Sequence, residues 1–258
     1  MKRNLKIFFL GFSTTLILLL IIFYGLPLDI RACSTPFAGM IVNRSMIFCP
    51  GRYEIGNGDN CSIVIENSDI HISGDRVTLV GDSKKDRCAI GIEKNEEEAA
   101  VSNISLSGLT IEDFGVGIYS RNKLDNVIIE NVRVENIIYS YIDLGMENKA
   151  SSNLSIVNSY FEGTFNNGII LRDCMGCSIT DNQIVNKRDG IIESSIVLFG
   201  GSGNLISNNS IFSENDKGCN AIWLDSSNNN TIQNNTLDLG YKDGSHFVNS
   251  NNNLFVSN

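Results

Sequence analysis

Four charged residues, Arg121, Asp143, Arg172 and Asp225, and two aromatic ones, Tyr119 and Trp223, have types and spacing that could do chemistry. Hydrolysis of a glycosidic bond needs two carboxylates about 5 to 10 Å apart across a groove. No local pair of acids in this chain stands out by spacing. A lyase or epimerase instead uses acids beside an Arg or Lys, and Arg172, Asp225 and Asp143 are the candidates for that role. The same six residues also suit binding without turnover, because an aromatic face stacks on a sugar ring while charged neighbours hydrogen-bond its hydroxyls. Metal chemistry has less to work with. Cys174-Met-Gly-Cys177 has the spacing of half a zinc site, but no second such pair follows, and His71 and His246 are the only histidines. Glu96, Glu97 and Glu98 could contribute oxygens to Ca²⁺ if others converged on them. The expectation is no cofactor, with Ca²⁺ as the alternative if the chain is a lyase.

These residues must be positioned by a repeat. An aliphatic residue, four intervening positions and another apolar residue recur as Leu106/Ile111, Ile129/Val134, Ile156/Phe161, Ile179/Ile184, Ile206/Ile211 and Ile232/Leu237. Successive starts are 23, 27, 23, 27 and 26 residues apart, the signature of a solenoid. The second intervening residue is Gly108, Asn131, Asn158, Asp181, Asn208 or Asn234, types that accept a left-handed corner. A third strand follows each corner pair, at Ile118, Ile142, Ile169, Ile196, Ile222 and Phe247. If these point inward, Tyr119, Asp143, Ile170, Val197 and Trp223 point outward in one column, and Arg121, Gly145, Arg172, Phe199 and Asp225 in the next. The six candidate residues thereby come to one face, unless a loop covers Ile170, Val197 and Phe199. Earlier in the chain Ile47–Ile55 reads as strand, turn, strand, and Ile63/Ile65, Ile70/Ile72, Val77/Leu79 and Ile90/Ile92 alternate as half-buried strands do.

The chain has 33 asparagines among its 258 residues, 27 of them after residue 100. Stacked amides are the structural reading for Asn103, Asn153, Asn208 and Asn234. Each also begins an Asn-x-Ser/Thr triplet, the acceptor for N-glycosylation in a host that performs it. The N-terminus carries Lys2, Arg3 and Lys6, then a charge-free stretch over residues 7–28. As a helix that stretch spans about 33 Å, enough to cross a bilayer with the following domain outside the cytoplasm. Ile30-Arg31-Ala32-Cys33 resembles a lipobox, which makes Cys33 a lipidation candidate, although Arg31 departs from the motif. Beyond the basic tip, 17 of the 20 basic residues face 29 acidic ones, a formal −12. No basic stripe exists, so nucleic acid is not expected as a partner. Seven cysteines in an exported chain point to disulfides, with one left over.

Ile47-Phe48-Cys49-Pro50-Gly51-Arg52-Tyr53, Val101-Ser102-Asn103-Ile104-Ser105-Leu106-Ser107-Gly108-Leu109-Thr110-Ile111, the strand start Gly117-Ile118, and Asn229-Asn230-Thr231-Ile232-Gln233-Asn234-Asn235-Thr236-Leu237 resemble the NosD-type right-handed parallel β-helix repeat proteins. The resemblance covers about residues 40 to 258. It implies the pectin-lyase-like fold, shared with carbohydrate-binding and sugar-hydrolase modules of microbial surfaces, and one fold serves many functions. The polygalacturonase-like segments Asn-Thr-Asp, Asp-Asp, Gly-His-Gly and Arg-Ile-Lys are missing as a set.

The expected protein is thus all-β, a right-handed parallel β-helix over residues 40–258, joined by a linker, 29–39, to a basic tip and signal-anchor transmembrane helix, 1–28. Its expected function is carbohydrate binding or surface interaction at Tyr119, Arg121, Asp143, Arg172, Trp223 and Asp225, outside the cytoplasm. A polysaccharide lyase, epimerase or hydrolase is the first alternative, and an accessory protein for copper-enzyme maturation the second. Expected partners are a polysaccharide or cell-surface glycan, the membrane through the N-terminal helix, and a partner chain where the last coil leaves strand edges open.

Overall fold

The computed structural model describes residues 32–56, 60–84, 87–94, 100–163, 166–187, 194–214, 220–238 and 243–258. The charge-free stretch 7–28, Glu96, Glu97, Glu98 and Cys219 lie outside these residues. Among the described residues no helix is long and apolar enough to cross a membrane. One compact unit runs over Cys33–Asn258.

The 24 strands among the described residues pair in parallel with the strand one coil away, a β-solenoid with three faces. On the first face Ile72, Leu106, Ile129, Ile156, Ile179, Ile206, Ile232 and Phe255 stand in register. On the second, Leu79, Ile111, Val134, Phe161, Ile184, Ile211 and Leu237 do the same. The apolar pairs of the repeat are therefore two inward columns. Between them lie corners with positive φ at Gly108, Asn131, Asn158, Asp181, Asn208 and Asn234. Asn and Asp tolerate that backbone region better than other residues with a Cβ, and Gly without cost, which is why the repeat keeps these types there.

The third face aligns Ile90, Ile118, Ile142, Ile169, Ile196 and Ile222, all buried. The next coil breaks one expectation: Ser245, not Phe247, sits beside Ile222, while Phe247 pairs with Leu224 and is 41% exposed. A period of two makes the pattern of apolar residues ambiguous by one strand pleat, and here the polar residue took the slot. In the last coil Leu254, Phe255 and Val256 are 54%, 42% and 40% exposed.

The asparagine ladder lies one residue beyond the corner positions expected to carry it at Asn208 and Asn234. The backbone N–H of Ser159 donates to Asn182, that of Asn182 to Asn209, that of Asn209 to Asn235 and that of Asn235 to Asn258, each at 3.0 Å. The amide nitrogens of Asn182, Asn209 and Asn235 donate in turn to carbonyls at Ile156, Ile179 and Ile206. A left-handed corner directs its own side chain outward and the next one inward, where an amide satisfies the backbone groups that the corner leaves unpaired. A shorter ladder runs through Asn204, Asn230 and Asn253. Asn103 bonds outside the core, to Asp69 and Asn126, and Asn153 to Asp125.

Disulfides join Cys33 to Cys49, Cys61 to Cys88, and Cys174 to Cys177. Cys33, the expected lipidation candidate, is thus paired with Cys49 in this structure. Cys33 and Ser34, in the segment expected to be a linker, are built into the first coil, Ser34 pairing with Phe48. Cys61 and Cys88 occupy the same register on adjacent coils. Cys174 and Cys177 form their own bridge, so the half zinc site is closed.

Candidate functional site

The third face brings the candidate residues together. Tyr119, Asp143, Ile170, Val197 and Trp223 form one continuous register column, extended by His246. Arg172, Phe199 and Asp225 form the neighbouring column. Strands 4.7–4.9 Å apart put about 19 Å between Tyr119 and Trp223, four steps along the stack. Gly145 belongs to this second column for steric reasons: at φ +96° a Cβ there would lie 2.5 Å from the Arg172 carbonyl oxygen.

Asp143 is the hub. Its carboxylate accepts from Arg121 Nη1 at 2.9 Å and Nη2 at 3.0 Å, a bidentate pair, and from Arg172 Nε at 3.1 Å. Its side chain is 9% exposed, against 16% for Arg172 and 41% for Arg121. Arg172 also reaches Glu147 at 3.6 Å. Each guanidinium lies over a ring, Arg121 over Tyr119 at 4.7 Å and Arg172 over Phe199 at 5.2 Å. The Arg121 pKa is raised. Burial acts against its charge, and the hydrogen bonds and attraction of Asp143 more than offset that. Phe199 meets Trp223 edge to face at 5.7 Å, and Trp223 meets His246 at 6.1 Å. The Trp223 Nε1 donor is buried with no acceptor among the described residues. A cleft of about 460 Å³ opens beside the hub, lined by Arg121, Met146, Glu147, Asn148 and Arg172.

The open apolar patch expected around Ile170 and Val197 is not exposed, since they are 4% and 0% accessible. Tyr119 and Trp223 are half-buried, so the face is a partly covered track with charged flanks rather than a bare platform. Asp225 stands two strands from Arg172 with Phe199 between them, about 9.5 Å by strand spacing. Its carboxylate accepts from the Ser226 hydroxyl. Met146, Glu147, Asn148 and Phe199 also border the site. Phe199 was within reach of the column argument, whereas the other three sit in a turn outside the repeat phrase. Among the described residues no three His, Cys, Asp or Glu side chains converge as metal ligands do.

Residues 68–258 match the family described as periplasmic copper-binding protein (NosD). No curated protein matches the chain. Solved structures that resemble it include the A-module of mannuronan C-5 epimerase AlgE6 from Azotobacter vinelandii, at 14% identity and TM-score 0.45, covering 83% of this chain and 66% of that one. The GH136 lacto-N-biosidase from Eubacterium ramulus resembles it at 10% identity and TM-score 0.42, over 86% of this chain and 61% of that one. The Streptococcus pneumoniae surface adhesin PfbA does so at 13% identity and TM-score 0.33, over 83% and 84%. The chain thus spans less than two thirds of the length of the first two. None of these likenesses transfers a substrate or a residue role.

Proposed function

The chain belongs to the NosD family of parallel β-helix proteins, and from that premise we propose that it is an extracytoplasmic glycan-binding module whose ligand lies along the third face, from Tyr119 to Trp223. The observation that carries this reading is the register. One outward column places an aromatic ring at each end of a ~19 Å track, with the Arg121–Asp143–Arg172 cluster and its cleft between them. A linear glycan can stack at both ends while the guanidinium edges bond its hydroxyls. The buried Trp223 Nε1 is a donor that a ligand oxygen would satisfy.

Binding is favoured over turnover by the state of the acids. Both Asp143 oxygens are occupied by guanidinium donors, which leaves no lone pair well placed for general base work. Asp225 is two strands from Arg172 with a phenyl ring between. Three disulfides agree with an oxidising compartment outside the cytoplasm, as the periplasmic family description does. The single-pass membrane anchor is part of the same proposal, resting on the charge-free stretch 7–28 after Lys2, Arg3 and Lys6.

The family description also names copper. That metal takes imidazole, thiolate or thioether donors. Here six cysteines are in disulfides, His71 lies on the first face and His246 on the third, and no three His, Cys, Asp or Glu side chains converge among the described residues. The donor set does not fit, and copper is given no role.

The test is retention on immobilised acidic and neutral polysaccharides, with mass spectrometry of the soluble fraction. Saturable retention without oligosaccharide products, weakened about tenfold by Trp223→Ala, is the expected result. If no member of the panel loses retention in Trp223→Ala, the proposed track is wrong, and products would replace binding with catalysis.

A further inference from the structure

A second groove lies on the far side of the repeat, at the corner between the first and second faces. It measures about 660 Å³ and is lined by four successive coils, from Asn131 to Ser210. Its two halves differ in kind. The floor is Val132, Ser159 and Asn182, buried and locked into the ladder. The rim is Asn131, Asn158, Asp181 and Asn208 at the corners, with Gln183 and Ser210 beyond them, all exposed. None of these six rim side chains has a hydrogen bond among the described residues. Tyr160 forms one wall. Its hydroxyl donates to Glu162, and one ring face lies against Arg133 at 4.1 Å.

From this we infer that the corner groove is a second binding site, for an uncharged linear polyhydroxylated chain running along the stack. Three observations meet in it. Amides and hydroxyls both donate and accept, as sugar hydroxyls do, and here they are uncommitted. The ladder beneath fixes them at the strand spacing of 4.7–4.9 Å, a step comparable to one sugar unit in an extended chain, so little ordering is left to occur on binding. Charge selects against anions. Asp181 stands in the rim unpaired, and the one cation there, Arg133, is held by Glu135. This site is independent of the third-face proposal.

The fold allows a clean test, because Asn131, Asn158 and Asn208 have φ values of 52°, 49° and 56°. Glycine adopts that conformation freely, so the triple variant Asn131→Gly/Asn158→Gly/Asn208→Gly removes the rim amides without straining the corners. Calorimetric titration of the full chain with cello-, xylo- and malto-oligosaccharides of six or more units, and with oligogalacturonate, reads binding at either site. Emission from Trp223, the only tryptophan, reads the third face alone. The expected result is heat from at least one neutral chain with unchanged emission, weakened tenfold or more in the triple variant and unaffected by Trp223→Ala. The inference fails if no neutral chain binds, or if binding persists at equal affinity in a triple variant with wild-type melting. Heat accompanied by an emission shift and lost in Trp223→Ala would also overturn it, while leaving the third-face proposal standing.

Discussion

The third face and the corner groove are built from the same coils, yet their polar groups are in opposite states. On the third face the charges are spent on each other: Asp143 is shared by two arginines, each resting on an aromatic ring. In the corner groove the rim amides are unspent, while the amides one residue further along the chain are wholly engaged. Asn208 and Asn209 show the contrast within a single dipeptide, one exposed and one 1% accessible. Position in a solenoid coil therefore decides whether a side chain stabilises the stack or remains available to a ligand.

The comparison is sharpest at its acids. Asp143→Ala leaves the 16%-exposed Arg172 without its main partner and is expected to destabilise the chain by about 3–5 kcal/mol. Asp181→Ala removes an unpaired surface carboxylate and stays within about 0.5 kcal/mol. Denaturant unfolding of both variants would break the comparison if the two losses were equal. The adjacent asparagines give the next effect. Asn209→Ala leaves the Asn182 backbone N–H unpaired and the Ile179 carbonyl without its side-chain donor, a cost of about 1–3 kcal/mol. Asn208→Gly, at a left-handed corner, is expected to be neutral within a few tenths. Thermal melts compare them directly.

Much of the fold was legible because an inward apolar pair and a corner residue repeat at a fixed offset. Leu106/Ile111 and Gly108 already define the coil that Ile206/Ile211 and Asn208 repeat. Legibility failed where types were degenerate. In Asn208-Asn209 and Asn234-Asn235 composition does not say which amide turns inward; only the handedness of the corner does. At Phe247 the phase differs from the expected one by two residues, and Ser245 takes the register slot beside Ile222. For the candidate site, the columns could be read from spacing, but commitment could not. That Asp143 would be enclosed between Arg121 and Arg172 depends on side chains from three coils meeting at once. Cys33 pairing with Cys49 was hidden by its proximity to a lipobox-like segment.

A smaller effect concerns the wall of the corner groove. Burial, with the hydrogen bond to Glu162, raises the Tyr160 phenol to about 12, while that same bond holds Glu162 below its ordinary value. A raised phenol pKa means that its contribution to stability is complete below about 10 and is lost as pH rises through 12. The depressed Glu162 pKa has the opposite sense, its contribution being present above the ordinary carboxylate value of 4.5 and lost as pH falls through the lowered one. Absorbance titration should find a tyrosine ionising near 12, and Tyr160→Phe should remove that transition and move the Glu162 titration upward.

The central claim, that the third face holds a glycan between Tyr119 and Trp223, is tested most directly by the emission of that single tryptophan. The full chain is titrated with oligosaccharides long enough to cover the ~19 Å track. The account predicts a saturable change in emission whose midpoint weakens at least tenfold in Tyr119→Ala, at the far end of the same column. No saturable change in Trp223 emission with any of these oligosaccharides, or a change whose midpoint is the same in Tyr119→Ala, would contradict it.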